Sequence, residues 1–555
     1  MLKKLKTKPY LFGLTFVVMS IIIILLLSFA SPFYYFDTSP DSNNFFTVGK
    51  AMFHGIIPYK DVFEQKGPFV YLIYGLSSLL TKRSLVGMMP FEIIAMIIIM
   101  TMAYKIARLY LSQNWSFVIS LFMPVFAVLQ PFYDYGGSVE FFVFPAVLYL
   151  IYVALKASQN HFDIKWWEWM IQGFMVGVVF FSKYTLLGPW VGFYVFMFIF
   201  YVYHRRFKEM WRLILFSGLS FLIALVPWLI YFAVTGSLKA FIHVYFTINM
   251  TVYGSSGIVP TKILIAAGFF MKFLTQYPIT VVFGLLGLIY VLFDHEIFKN
   301  GISKSLFLFM MIVNAIVSVY GHTFGKIYQY YQLAYFPFIM VTTIFLLVFF
   351  IRHFESNRKL ALPWTFVAVA LCMALTFVLG SNNNFIYSKL HPQNLYVTLN
   401  PKKGQYQQPA QVSFGKIIRD ESKGTPTLLT YSRLENGFYT SSGAYPTHYF
   451  FERNNIPSRA YPRMMRSANK VVQKKQVQWL VIRVDNTSGK NNDKLYSYMS
   501  SGSRKGGRDA LIKNYRLRSS HAQMFEARRA TYYLFEARTK SNPKAKKMIK
   551  EHKFY

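Results

Sequence analysis

The sequence predicts an α-helical polytopic membrane protein of about eleven transmembrane helices, followed by an extracytoplasmic C-terminal α/β domain. Three observations predict it. Charge-free apolar runs such as Phe16–Phe29 and Phe338–Phe350 recur up to Leu379, and apolar stretches of about 18 residues or more read as membrane helices. The chain is 54% hydrophobic and 19% aromatic, with positive mean hydropathy. Beyond Leu379 the composition turns polar and basic, with 32 Lys+Arg against 10 Asp+Glu over residues 380–555, and short apolar runs of strand length appear.

Spans are expected at about 9–30, 87–108, 114–131, 140–155, 169–182, 186–203, 211–234, 277–293, 304–320, 332–351 and 361–379. The opening Met-Leu-Lys-Lys-Leu-Lys-Thr-Lys resembles a signal-peptide start. The apolar run Tyr10–Ala30 is longer than a typical h-region, however, and no small-x-small cleavage site follows, so it reads as a retained span with a cytoplasmic N-terminus. Segment 68–80 is apolar but reaches only about 20 Å as a helix, against a bilayer core of about 30 Å. It is read as a helix on the outer surface. Charge agrees with that choice. Lys105, Arg108, Lys156, Lys165, the His204–Lys208 cluster with Arg212, Lys299, Lys304, Arg352, Arg358 and Lys359 then face the cytoplasm, as the positive-inside rule asks. The domains expected are a membrane domain at 1–379 with a first outer loop at about 31–86, an outer domain at 380–538 and a basic tail at 539–555. In the outer domain, Thr427–Tyr431, Trp479–Val484 and Thr531–Phe535 read as buried strands and Met464–Lys475 as a helix.

A net charge of +36 suggests nucleic acid in a soluble protein. Here cytoplasmic loops and the basic outer domain account for it, and no nucleic-acid partner is expected. The single cysteine, Cys372, sits in an apolar run, so neither an intrachain disulfide nor a cysteine-based metal site is available.

Chemistry concentrates between the first two spans, in Asp41-Ser-Asn-Asn through Gly55-Ile-Ile-Pro58-Tyr59-Lys-Asp61-Val-Phe-Glu64-Gln-Lys66-Gly67-Pro68. Asp41 suits a general base toward a hydroxyl or a helix N-cap, with Asp37 as the alternate carboxylate. Asp61 and Glu64 suit a divalent metal, sugar hydroxyls or plain solvation. Lys66 suits a phosphate or snorkelling to headgroups, and Pro68 suits the first turn of a helix. The second outer loop carries Asp134 and Glu140. A carboxylate at a span edge is costly and usually functional, while a helix N-terminus also favours it. Lys183 breaks an apolar stretch as a lone cation, fit for a lipid phosphate or for anchoring at the water interface. Lys326, Tyr330 and Tyr331 offer a cation and hydroxyls, though aromatic belts place tyrosines there without chemistry. All of these residues are expected on the outer side.

In this order the residues resemble the GT-C class of membrane glycosyltransferases, and most closely the bacterial relatives of protein O-mannosyltransferases and of the aminoarabinose transferase acting on lipid A. Asp41 matches the first-loop acid by position, and Lys66-Gly67-Pro68 the start of the surface helix. Glu140 is similar to the second-loop acid, and Lys183 and Gln329-Tyr330-Tyr331 to the phosphate- and lipid-facing positions. The group often carries Glu directly after the first acid, where this chain has Ser42. The resemblance implies a polyprenyl-phosphate sugar donor and an inverting single displacement. Asp41 would take the acceptor proton, and Lys66, Lys183 and Lys326 would stabilise the departing phosphate. It implies a multi-pass enzyme of the bacterial plasma membrane. The resemblance fixes no cofactor, and a divalent metal is compatible with it. The acceptor would be an envelope glycan, a teichoic-acid-like polymer, a glycolipid or a protein. Two rivals differ in where polar groups should fall. A transporter or flippase of lipid-linked glycans needs charges through mid-bilayer, and a polymerase or ligase of another fold needs a large late loop.

Overall fold

The computed structural model describes residues 9–130, 132–252, 278–293, 296–298, 300–322, 328–357, 383–391, 408–456, 458–485, 492–500, 507–525 and 528–538, with a few isolated positions between them. Four helices open the chain: α1 (Pro9–Leu27), α2 (Pro40–Met52), α3 (Pro68–Leu80) and α4 (Met89–Arg108). The chain divides into two compact units. One comprises Met1–Leu27, Pro90–Trp228 and Ser256–Asn383. The other comprises Ser28–Met89, Leu229–Ser255 and Asn384–Tyr555.

Among the described residues, six helices are long and apolar enough to cross a membrane: Tyr10–Leu27, Leu85–Arg108, Val139–Gln159, Phe207–Val234, Gly301–Val319 and Gln329–His353. The pair Trp166–Leu186 and Gly188–Tyr203, bent by 117°, makes a seventh when taken as one broken span. The expected count of about eleven is therefore not reached among these residues. The run 114–131 forms Gln113–Phe122 and then only the short turn Val125–Val128, because Pro124 supplies no N–H to continue the helix. The run 277–293 retains a shorter apolar helix, Val282–Phe293. The expected span 361–379 lies outside the described residues. Close helix approach in the first unit uses small residues. A Cβ on Gly188 or Gly192 would stand 2.6 or 2.8 Å from the backbone of Asn314 or Met310, the small-xxx-small contact of membrane helices.

In the second unit, α3 is a 13-residue helix, about 20 Å long and too short to span. Gly67 caps it and Pro68 occupies its first turn. It packs on α2 so closely that a Cβ on Gly49 would meet the Tyr71 carbonyl at 2.5 Å and the Gly75 nitrogen at 2.6 Å. The C-terminal α/β domain is built on a four-stranded sheet of order β1-β2-β4-β3, with β1 (Leu428–Thr430), β2 (Trp479–Asp485), β3 (Tyr515–Phe525) and β4 (Arg528–Ala537). β1 and β2 run parallel, and the other pairs are antiparallel. Trp479, Leu480, Val481 and Ile482 are all buried, as an interior strand covered on both faces requires. The helix Pro462–Gln473 buries Met464, Met465, Ala468, Val471 and Val472, one face at helical spacing. Three of the four strands and this helix stand where the apolar runs predicted them.

Candidate functional site

Within the second unit, the first-loop residues form an ordered structure. Asp37 is buried, and its Oδ1 accepts the Ser39 N–H at 2.8 Å. Its carbonyl accepts from Asn43 Nδ2 at 2.7 Å, which fixes the entry into α2. Ser39, not Asp41, is the N-cap: its side chain accepts from the Ser42 N–H at 3.2 Å, and Pro40 takes the first helical position. The N-cap alternative for Asp41 is thereby overturned. Asp41 is half-buried in the first turn, where the exposed N–H groups and the helix dipole favour a carboxylate.

The turn Gly55–Asp61 closes through Asp61, whose Oδ2 accepts the Ile57 N–H at 2.8 Å while its own N–H reaches the Ile57 carbonyl at 2.9 Å. Gly55 and Tyr59 take φ of +83° and +67° there. Asp61 is thus a turn-former rather than a simply solvated loop charge. Glu64 is buried rather than solvated. Its carboxylate accepts the Lys66 N–H at 2.8 Å and the Tyr71 hydroxyl. Burial pushes its pKa up, and the Lys66 ammonium and these hydrogen bonds oppose that. Lys66 Nζ lies 5.9 Å from the Phe45 ring centre, and the Lys66 carbonyl accepts from Tyr59 at 2.6 Å.

Within the first unit, Ser138 caps the helix Val139–Gln159 and Glu140 lies in its first turn. Glu140 also pairs with Lys183, and both side chains are nearly buried, at 1% and 11% exposure. Lys183 is therefore not a lone cation. It ends the helix Trp166–Lys183 and sits 3.6 Å from the Tyr331 ring centre and 5.7 Å from that of Tyr330. Four groups expected separately are brought together: Glu140, Lys183, Tyr330 and Tyr331. Glu140 also lines a small crevice with Pro189, Asn314, Leu333 and Pro337. Asp134 and Tyr135 take φ of +47° and +66° ahead of Gly136 and Gly137, also in the left-handed region. Such backbone is strained for residues with a Cβ and gathers at functional positions. Lys326 lies outside the described residues.

Sequence reasoning missed four polar groups. Glu92 is buried in α4, where its Oε2 accepts from the Tyr133 hydroxyl at 3.2 Å; an acid inside an apolar run was its visible signal. Lys50 is buried in α2, its Nζ 3.5 Å from the Tyr439 carbonyl and 4.9 Å from the Tyr445 ring centre. Burial and the nearby Arg83 bring its pKa down to about 7. Glu452 and Asn436 come from the C-terminal domain. Asn436 Nδ2 donates to Asn44 of α2 and to Glu452 Oε2, both at 2.7 Å, and the Phe63 N–H donates to the Tyr449 carbonyl at 2.8 Å. The only hint of Glu452 was an acid directly after the aromatic run Tyr449-Phe450-Phe451. Among the described residues, no three His, Cys, Asp or Glu side chains are arranged to hold a metal ion.

Residues 65–231 match the family described as dolichyl-phosphate-mannose-protein mannosyltransferase. The crystal structure of ArnT from Cupriavidus metallidurans bound to undecaprenyl phosphate is similar, with a TM-score of 0.55 at 10% identity, covering 95% of this chain and 97% of that one. The apo structure of the same protein gives 0.53 at 10% identity with the same coverage. Among curated proteins there is no significant match. The chain has a GT-C-like fold, polytopic and α-helical with a C-terminal α/β domain, and resembles these membrane glycosyltransferases. The family match takes in Lys66, Asp134, Glu140 and Lys183, and begins after Asp41 and Glu64.

Proposed function

We propose that this chain is a glycosyltransferase of the bacterial plasma membrane that moves a sugar from a polyprenyl-phosphate donor to an envelope acceptor on the outer face. Its N-terminus is cytoplasmic and its C-terminal domain extracytoplasmic. The observation that carries this reading is the match of residues 65–231 to a mannosyltransferase family, joined to a likeness in fold over 95% of the chain.

In the reaction, an acceptor hydroxyl oxygen attacks the anomeric carbon opposite the phosphate. The bond from carbon to phosphate oxygen breaks, its electron pair leaves with the lipid phosphate, and the anomeric configuration inverts. Asp41 takes the acceptor proton; its half-buried place in the first turn of α2 supports this role. Lys66, Lys183 and Lys326 stabilise charge on the departing phosphate. Tyr330 and Tyr331 shape the surroundings of Lys183, and the Glu140 pair holds its ammonium oriented before a donor arrives. Glu64 fixes the backbone at Lys66, and Asp37 and Asp61 hold the loop in shape. The acceptor is an envelope glycan, a teichoic-acid-like polymer, a glycolipid or a protein.

The test is transfer of labelled sugar from a panel of undecaprenyl-phosphate sugars in membranes holding matched amounts of wild type or Asp41→Asn. Labelling of an envelope acceptor by wild type, and its loss of at least about 100-fold in the variant, is the expected result. Equal labelling by both removes Asp41 as the base. No labelling with any donor in the panel counts against a transferase.

A further inference from the structure

One buried carboxylate of the second unit is left unused by the proposed reaction. Glu452 is 4% exposed, and while its Oε2 accepts from Asn436, its Oε1 is buried with no hydrogen-bond partner. The Asn436 side chain is fully buried, and its Oδ1 is likewise without a partner. Its amide orientation is settled by two acceptors on the nitrogen side, Asn44 Oδ1 and Glu452 Oε2. A buried polar atom left unpaired costs free energy comparable to a lost hydrogen bond, so its retention calls for a partner. Two oxygens on hydrogen-bonded neighbours are short of that partner, and both can accept. The ligand chemistry that satisfies them is a donor of hydroxyl hydrogens.

The surroundings connect this pair to the first loop. Asn44 lies three residues beyond Asp41 on α2, and the Phe63 N–H beside Glu64 is bonded to Tyr449, three residues before Glu452. Burial, and after it the charges of Glu64 and Asp41, push the Glu452 pKa well above the usual carboxylate range, against the Asn436 hydrogen bond, so both carboxylates are close enough to act on it. That shift is toward the uncharged acid, which both donates and accepts, the pairing a sugar hydroxyl offers. A structural staple needs only Oε2 on Asn436 and gives Oε1 nothing to do.

Resting on the transferase reading, we propose that Glu452 and Asn436 of the C-terminal domain form a sugar-hydroxyl subsite beside Asp41, in which Glu452 positions the polyhydroxyl part of the substrate. That part belongs either to the lipid-linked donor or to a glycan acceptor, and the probes separate the two. The full chain, purified in detergent, is titrated with undecaprenyl phosphate, with undecaprenyl-phosphate hexoses, and with poly(glycerol phosphate) bearing or lacking hexose, following thermal stability. The measured quantity is the gain in apparent affinity that the sugar adds over the same carrier without it. Glu452→Ala is expected to cut that gain about tenfold, the size of one good hydrogen bond. Glu452→Gln, which keeps a neutral donor and acceptor, is expected to retain most of it. Glu452→Asp, which keeps the carboxyl but withdraws it, serves if the alanine variant does not fold, and is expected to lose the gain as alanine does.

A sugar gain in the donor series assigns the subsite to the donor, and one in the polymer series alone assigns it to the acceptor. A gain that every variant retains overturns the subsite, as does a wild type that shows no gain with either carrier. A loss of unliganded stability with the sugar gain intact makes Glu452 a staple and equally overturns it. Sugar transfer that proceeds with a gain independent of Glu452 refutes the subsite and leaves the transferase. A gain dependent on Glu452 without transfer leaves the subsite and refutes the transferase.

Discussion

Replacing Lys50 by methionine should stabilise the protein near neutral pH and below, and the gain should fade in alkali. Lys50 is buried in α2 against Tyr445 and the Tyr439 carbonyl, with Arg83 near enough to repel its charge. Its pKa falls from 10.5 to about 7 in the folded chain. At about 1.4 kcal/mol per pH unit, that difference corresponds to a ceiling of about 5 kcal/mol for holding the charged form inside. Below pH 7 both folded and unfolded chains carry the proton, so the whole cost is present. Between about 7 and 10.5 the unfolded chain binds the proton and the folded one does not, so stability rises with pH. Above that range both are neutral and the cost is gone. Methionine keeps the unbranched shape and removes the titration. Apparent unfolding temperatures of wild type and Lys50→Met in detergent, taken from about pH 6 to about pH 10, give a difference from which other titrating groups cancel. The variant should lead at the acid end and lose its lead as pH climbs through 7 to 10. A difference that stays constant over that range refutes the depressed pKa and with it the account of Lys50 as a buried cation.

Glu140→Gln should destabilise the chain by about 3–5 kcal/mol, because it leaves the Lys183 ammonium buried without its counter-charge. The double variant Glu140→Gln/Lys183→Met should recover much of that stability, read by thermal unfolding, while sugar transfer stays lost; recovered transfer would remove Lys183 from the phosphate role. Gly49→Ala should cost about 1–3 kcal/mol, since its Cβ meets two backbone atoms of α3 within 2.6 Å, whereas Gly13→Ala, with nothing within 4 Å, should leave the unfolding temperature nearly unchanged.

Legibility in the sequence followed how local each signal was. β2 and the helix Pro462–Gln473 were readable because burial writes a continuous apolar run on one and a helical stripe on the other. β3 was not, since Arg516, Arg518 and Ser520 interrupt an edge strand that pairs on one side alone. At the start of α2, Ser39, Pro40 and Asp41 stand in a row with two of them able to cap. Pro40 suits the first helical position, which leaves the cap to Ser39 and Asp41 to the first turn.

By itself the sequence determined the membrane class, the polar first loop and the residue types from which a site can be made, because hydropathy and short motifs are properties of neighbouring residues. Only the tertiary structure decided the partners. Glu140 and Lys183 are 43 residues apart and satisfy each other, while Asn436 reaches Asn44 across 392 residues and Glu452 across 16. The pKa shifts of Glu452 and Lys50 follow from burial and from carboxylates or cations brought near by folding. Desolvation and long-range pairing are set by what surrounds a group in space, and no pattern along the chain carries that information.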